Sequence, residues 1–272
     1  MKKLLIAFAL LSFSITALGQ SSDDPTNKKV QVGIGFGTGA TFNRLGTNKA
    51  EKDGAGYNVH LGVDLNYNFV KNVGLYTGLH FDLEGFKYKF DPSDRMFYNF
   101  NDKDILRKKD LADFSSYDSL LVTNRAYRPI YLTLPTMLIF KTDQIGYLKY
   151  FGKFGLRTNF LLSQKVHDQG FLNGDNNNPV EYKNMNLKSD LLWVRSSVGI
   201  AGGVEWNFTG STVLVGEIGF YYAFTNTHAT KAIGGDDEAR NYHLYQNTEA
   251  PGTFTGLKNN QMQLQFRVAV LF

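Results

Sequence analysis

Alternation with a period of two is the strongest constraint on this chain. In residues 55–69, Tyr57, Val59, Leu61, Val63, Leu65, Tyr67 and Phe69 share one face, and Asn58, His60, Gly62, Asp64, Asn66 and Asn68 share the other. A helix brings its side chains round every 3.6 residues and cannot keep that separation, whereas a strand sends successive side chains to opposite faces. The same pattern marks eight segments, at 30–43, 55–69, 72–90, 127–140, 147–163, 191–208, 212–226 and 260–272. The links between them alternate too: 44–54, 91–126, 164–190 and 227–259 are medium or long, and 70–71, 141–146 and 209–211 are short. Short links then all fall at one end, which predicts an all-β fold, an eight-stranded antiparallel up-and-down barrel over 30–272.

Alternation alone does not say which face is outside, because a soluble lipocalin-like carrier alternates with its apolar face inward. Volume decides. The interior of an eight-stranded barrel is only just wide enough for side chains to fill, and the apolar faces here carry about five to seven large residues per strand. The polar faces hold the small residues a crowded lumen needs, among them Gly33, Gly35, Gly37 and Gly39. The apolar face is therefore expected to meet lipid, where a closed barrel is the one non-helical way to satisfy the backbone. Two aromatic girdles are predicted, Tyr67, Phe69, Phe140, Trp206, Phe208 and Phe272 at the short-turn end and Phe42, Tyr57, Phe86, Phe160, Tyr222 and Phe224 at the other.

The first residues fit export. Lys2 and Lys3 precede an apolar run from Leu4 to Leu18 with a small-residue site at Ala17-Leu18-Gly19, the pattern of a secretory signal peptide over 1–19. Residues 20–29 would then form a periplasmic N-terminal segment, and the barrel an integral protein of the cell outer membrane with short periplasmic turns and long extracellular loops. The formal charge of +4 falls to +2 once Lys2 and Lys3 leave. No run of basic and aromatic residues suits a phosphate backbone, so no nucleic-acid partner is expected. Cysteine is absent, which excludes a disulfide framework and a thiolate metal site.

On the inward register stand Asp64, Asp82, Glu84, Glu205 and Glu217 with Lys149, Lys153, Arg157, Arg195 and Arg267. Buried charges must be paired, so these ten predict a lumen ion-pair network that plugs the interior. Two layers are expected, with Asp82, Glu84, Arg157 and Arg195 farther from the short-turn end than the rest. His60 and His80 face inward as hydrogen-bonded filler, and no cofactor or metal is expected. The role expected is structural, anchoring or surface recognition through the loops, whose partner the residues do not name. An outer-rim lipid or peptide hydrolase would draw on Ser93, Ser115, Ser116, Ser119 or Ser189 with His228 or His243, but no nucleophile motif frames them. DKDILRKKDLADF (102–114) is expected to form a short amphipathic helix over the barrel mouth or against anionic surface sugars.

The segment YRPIYLTLPTMLIF (127–140) resembles the aromatic, proline-containing fourth strand of the small outer-membrane β-barrels of Bacteroidota called PorT-like, and VGIGFGTGATFN (32–43) resembles their Gly-rich first strand. Thr133 stands where an acid is expected in that fourth strand. The resemblance spans residues 30–272 and implies an integral outer-membrane protein, with one branch linked to secretion and gliding machinery as an accessory component. The closing QMQLQFRVAVLF (261–272) resembles the signal read by barrel-assembly machinery, carried by Phe266, Val268, Val270 and Phe272. The partners so implied are outer-membrane lipid and, during biogenesis, that machinery.

Overall fold

A computed structural model of the chain describes residues 28–111, 116–173, 175, 177–188, 190–209, 212–229, 242–246, 253–254 and 256–272. The expected signal peptide, most of segment 20–29, Ser115 and Ser189 lie outside these. The described strands are β1 (Val30–Leu45), β2 (Glu51–Lys52), β3 (Gly56–Val70), β4 (Val73–Lys89), β5 (Met96–Asn101), β6 (Asp104–Ile105) and β7 (Asp118–Lys141). They continue with β8 (Leu148–Leu172), β9 (Pro179–Asn186), β10 (Val194–Thr209), β11 (Thr212–Ala223), β12 (Tyr245–Gln246), β13 (Thr253–Phe254) and β14 (Asn259–Leu271).

The expected count of eight is corrected to fourteen strands among the described residues. Eight long ones pair antiparallel in a cycle: β1 with β3, β3 with β4, β4 with β7, β7 with β8, β8 with β10, β10 with β11, β11 with β14, and β14 back to β1. The six shorter strands build outward at the long-loop end. There β5 pairs with β7, β6 and β12, β9 with β8, β12 with β13, and β2 with β4. β7 and β8 run some nine residues past their expected limits. Their extensions escape a period-two search because both faces are covered: Leu120, Leu121 and Val122 are consecutive and all buried.

The apolar faces point out. Ile34, Phe36, Leu61, Leu83, Phe154 and Ile200 are all exposed, while Asp64, Asp82, Glu84 and Gln261 are buried. That arrangement overturns the lipocalin-like alternative, which requires the reverse. Most girdle residues are exposed at the expected ends, Phe69, Phe140, Trp206, Phe208 and Phe272 at one and Phe42, Tyr57, Tyr222 and Phe224 at the other. Phe86 is the exception and is fully buried. It shares the inward parity of Asp82 and Glu84, and its ring stacks on Tyr127 with centroids 4.8 Å apart.

Residues 102–114 form no described helix, which corrects that expectation. The segment holds β6 and a single 3-10 turn at Lys108–Asp110, pinned by Arg107 on Asp110 at 2.6 Å, and 112–114 lie outside the described residues.

Candidate functional site: a charge-paired lumen beneath an aromatic cap

Strand parity sends the expected ten charged residues inward, and all ten are buried. Near the short-turn end Glu217 accepts from Lys153 at 2.6 Å and from Arg267 at 3.1 Å. Arg267 also donates to Asp64, whose other oxygen accepts from the Tyr76 hydroxyl at 2.7 Å and faces His80 Nε2 at 2.9 Å. Farther up, Arg157 and the Thr133 hydroxyl both donate to Asp82. Arg195 embraces Glu84 with both terminal nitrogens, and Glu84 accepts in addition from Gln263 Nε2 at 2.8 Å. Thr133 thus serves the acid of a neighbouring strand from the position where an acid was expected.

Taking these charges out of water is tolerable because Asp64, Asp82, Glu84 and Glu217 each receive two or more donors. Aromatic faces add to the pairing: the Lys153 ammonium lies 3.5 Å from the Tyr76 ring centroid and the Arg195 guanidinium 4.5 Å from that of Tyr131. The glycines of β1 make room for this. A Cβ on Gly35 would sit 2.5 Å from Asp64 Oδ2 and 2.8 Å from Arg267, and one on Gly37 would sit 2.3 Å from the His60 ring. His60 and His80 are buried with rings stacked 5.7 Å apart.

Lys141 was missed. It pairs with Glu205 at 2.7 Å and donates to Gln31 at 3.0 Å. The limits read from sequence place it in the short link 141–146, although it shares the inward parity of Tyr131 and Thr133. Lys149, an expected member of the network, is buried opposite Glu205 in the β8–β10 register. Inward apolar side chains, among them Met137, Ile139, Phe151 and Val215, fill the space between charges. Two cavities in the lumen have volumes of about 10 Å³ each, room for no more than a single water.

At the other end stands an apolar core, with Phe86, Tyr88, Phe90, Tyr98, Phe100 and Tyr127 at its centre. Inside it Arg125 grips Asp168 through bonds of 2.8 and 2.7 Å and donates to His243 Nε2 at 2.6 Å. An imidazole nitrogen that accepts from a guanidinium belongs to a neutral ring. Burial pushes His243 down to about 3. His228 Nε2 meets the Tyr88 hydroxyl at 3.0 Å, and its Nδ1 lies 3.1 Å from Asp190.

Sequence places both histidines in the external connection 227–259, and both are buried. Of the candidate serines, Ser93 sits in an exposed 3-10 turn and Ser119 faces Asn173. Among the described residues no group of three or more His, Asp or Glu is arranged to hold a metal. On the outer face of β14, Phe266, Val268 and Phe272 are exposed and Val270 is half-buried. The Phe272 N–H donates to the Val32 carbonyl at 2.8 Å.

The chain is similar in fold to several outer-membrane proteins of known structure. Ail, the attachment invasion locus protein of Yersinia pestis, aligns at 10% identity over 89% of this chain and 99% of its own, with a TM-score of 0.30. OprG of Pseudomonas aeruginosa aligns at 9% identity over 92% and 99%, with a TM-score of 0.44. The outer membrane protease OmpT of Escherichia coli aligns at 8% identity over 91% and 98%, with a TM-score of 0.38. No curated protein sequence matches the chain. A family model described as the outer membrane protein beta-barrel domain matches residues 19–229, most of the chain. By that match the chain belongs to the outer membrane protein beta-barrel domain family, and the outer membrane is its location.

Proposed function

We propose that the chain crosses the outer membrane as an eight-stranded up-and-down barrel with its short turns in the periplasm and its long connections outside. Its lumen is a plug, and the protein acts as a structural or anchoring platform and a surface for recognition. The observation that carries this reading is the filled interior: paired charges on the inward faces of seven of the eight long strands, all but β1, cavities of about 10 Å³, and an aromatic core across the mouth. An open aqueous channel takes ~16 or more strands, so a ring of eight with this filling has no path for solutes. Surface diversity is left to the segments beyond β7, β8 and β11. Within the family, we read residues 127–140 and 32–43 as those of a PorT-like barrel. Catalysis at the outer rim draws no support, since His228 and His243 are committed to Tyr88, Asp190 and Arg125 under the cap.

Two measurements test this. The refolded chain inserted into planar lipid bilayers is expected to give no steady conductance, and an open channel of fixed size would refute the plug. Protease added to intact cells is expected to cut within 91–126 or 227–259. Cleavage there only after the outer membrane is opened would invert the orientation.

A further inference from the structure

One outward surface departs from the apolar belt. Arg128 on β7 and Lys165 on β8 are direct partners across an antiparallel pair, and both are exposed. Side chains so placed have Cβ atoms about 5 Å apart, and like charges there repel. Lys87 on β4 is also exposed and partners Ala126, two residues from Arg128 on the same face. That makes it a diagonal neighbour at roughly 7–8 Å. Of the acids on adjoining strands, Asp53 donates its N–H to the Lys87 carbonyl but turns its carboxylate to Lys89 at 3.0 Å, Glu51 stands opposite Lys89, and Glu181 bonds Lys183 at 3.1 Å. Among the described residues, none is paired with Lys87, Arg128 or Lys165.

Height on the barrel is defined by what lies next to these cations. Toward the short-turn end the same strands expose Leu83 and Phe81 on β4, Leu134 on β7 and Leu162 on β8, so the three stand at the upper edge of the apolar belt. Tyr57 is half exposed and covers Gly85, the outward position before Lys87, where a Cβ would meet its ring at 2.2 Å. The outward positions of β10, β11 and β14 carry no Lys, Arg, Asp or Glu, so this basic cluster belongs to one side of the barrel.

We infer that Arg128, Lys165 and Lys87 form a binding site for the phosphate of an outer-leaflet glycolipid headgroup, with Tyr57 against its sugar. A phosphate dianion relieves the repulsion that the bare pair carries. The guanidinium takes two of its oxygens, and the ammonium groups act as point charges on the rest. The acyl chains of such a lipid descend along Leu83, Leu134 and Leu162, contacts that a free phosphate lacks. The inference rests on the orientation proposed above, with the long connections outside.

The test uses the full chain refolded in detergent and native mass spectrometry to count retained lipid. The probes are bisphosphorylated lipid A, its dephosphorylated form, phosphatidylglycerol and inorganic phosphate. The parent should retain lipid A at least ten-fold more tightly than the dephosphorylated form. The double variant Arg128→Gln/Lys165→Gln should lose ten-fold or more, while Lys71→Gln/Lys183→Gln, which removes the same charge elsewhere, should lose little. Lys165→Gln alone should melt no lower than the parent without lipid, because it removes a repulsion. Equal retention of the dephosphorylated lipid, equal loss in the charge-matched control, or displacement of lipid A by an equal concentration of phosphate or phosphatidylglycerol would overturn the assignment. Orientation is read independently from protease cleavage on cells, so failure of one is distinguishable from failure of the other.

Discussion

Two arginines in the lumen allow the pairing to be tested against simple charge counting. Arg267 touches two acids, Asp64 and Glu217, whereas Arg195 touches one, Glu84. Counting contacts therefore predicts that losing Arg267 does more damage. The partners left behind predict the opposite. In Arg267→Met, Asp64 keeps Tyr76 and His80, and Glu217 keeps Lys153 at 2.6 Å. In Arg195→Met, Glu84 keeps only the neutral amide of Gln263 among the donors described here. Stranding a buried charge costs about 3–5 kcal/mol, of which one remaining hydrogen bond offsets a part, leaving about 3 kcal/mol for Arg195→Met and about 1–2 kcal/mol for Arg267→Met. Urea unfolding in phospholipid vesicles, followed by the fluorescence of Trp193 and Trp206, gives both numbers. Adding Glu84→Gln to Arg195→Met should restore at least half of the loss. An equal or larger loss in Arg267→Met, or no recovery in the double variant, would refute the reasoning.

Three further outcomes follow from the geometry. Gly37→Ala forces a methyl against the His60 ring and the backbone of β14, and should destabilise the barrel by about 1–3 kcal/mol in the same unfolding assay; Gly54→Ala, in open space at φ +75, provides a control governed by backbone strain alone. His243 lies among Arg125, Asp168, Asp190 and His228, and its folded value near 3 is below the unfolded ~6.5. The unfolded cap therefore binds the extra proton, so cap stability is full above about pH 6.5 and falls as pH drops toward 3. Limited proteolysis should quicken over that window in the parent and less in His243→Gln, and identical rates from pH 7 to 4 would contradict this. Deleting Phe272 should lower outer-membrane levels in cells far more than it lowers the stability of protein refolded in detergent, and normal levels would remove the assembly-signal reading.

Sequence legibility followed the solvent. Where one face meets lipid and the other a polar lumen, as in residues 56–70, each residue's parity declares its side, and strand ends came within a few residues. The same parity brought Asp82 to Arg157 and Glu84 to Arg195. Beyond the belt that contrast disappears. Residues 118–126 are covered on both faces, so period two fades and the extensions of β7 and β8 with their added strands went unseen. Arg125, Asp168 and Asp190 were lost with them, because a buried ion pair in a capping sheet leaves no one-dimensional mark. Phe86 shows the opposite failure, since an aromatic at the right height was assigned to the girdle against its own parity.

The seam between β1 and β14 carries a kinetic consequence. Thr38 and Phe266 are partners across it yet stand roughly 230 residues apart, and bringing such distant points together costs about 5 kcal/mol of chain entropy before any contact is made. Most other ring pairs join neighbours along the chain and form at lower cost. The seam should therefore close last, leaving two open edges facing lipid, where unpaired backbone groups are most costly. A circular permutant that links residue 272 to residue 30 and opens the chain within 142–147 turns that closure into a short hairpin. Its native contacts would be those of the parent, and its folding clock would run faster.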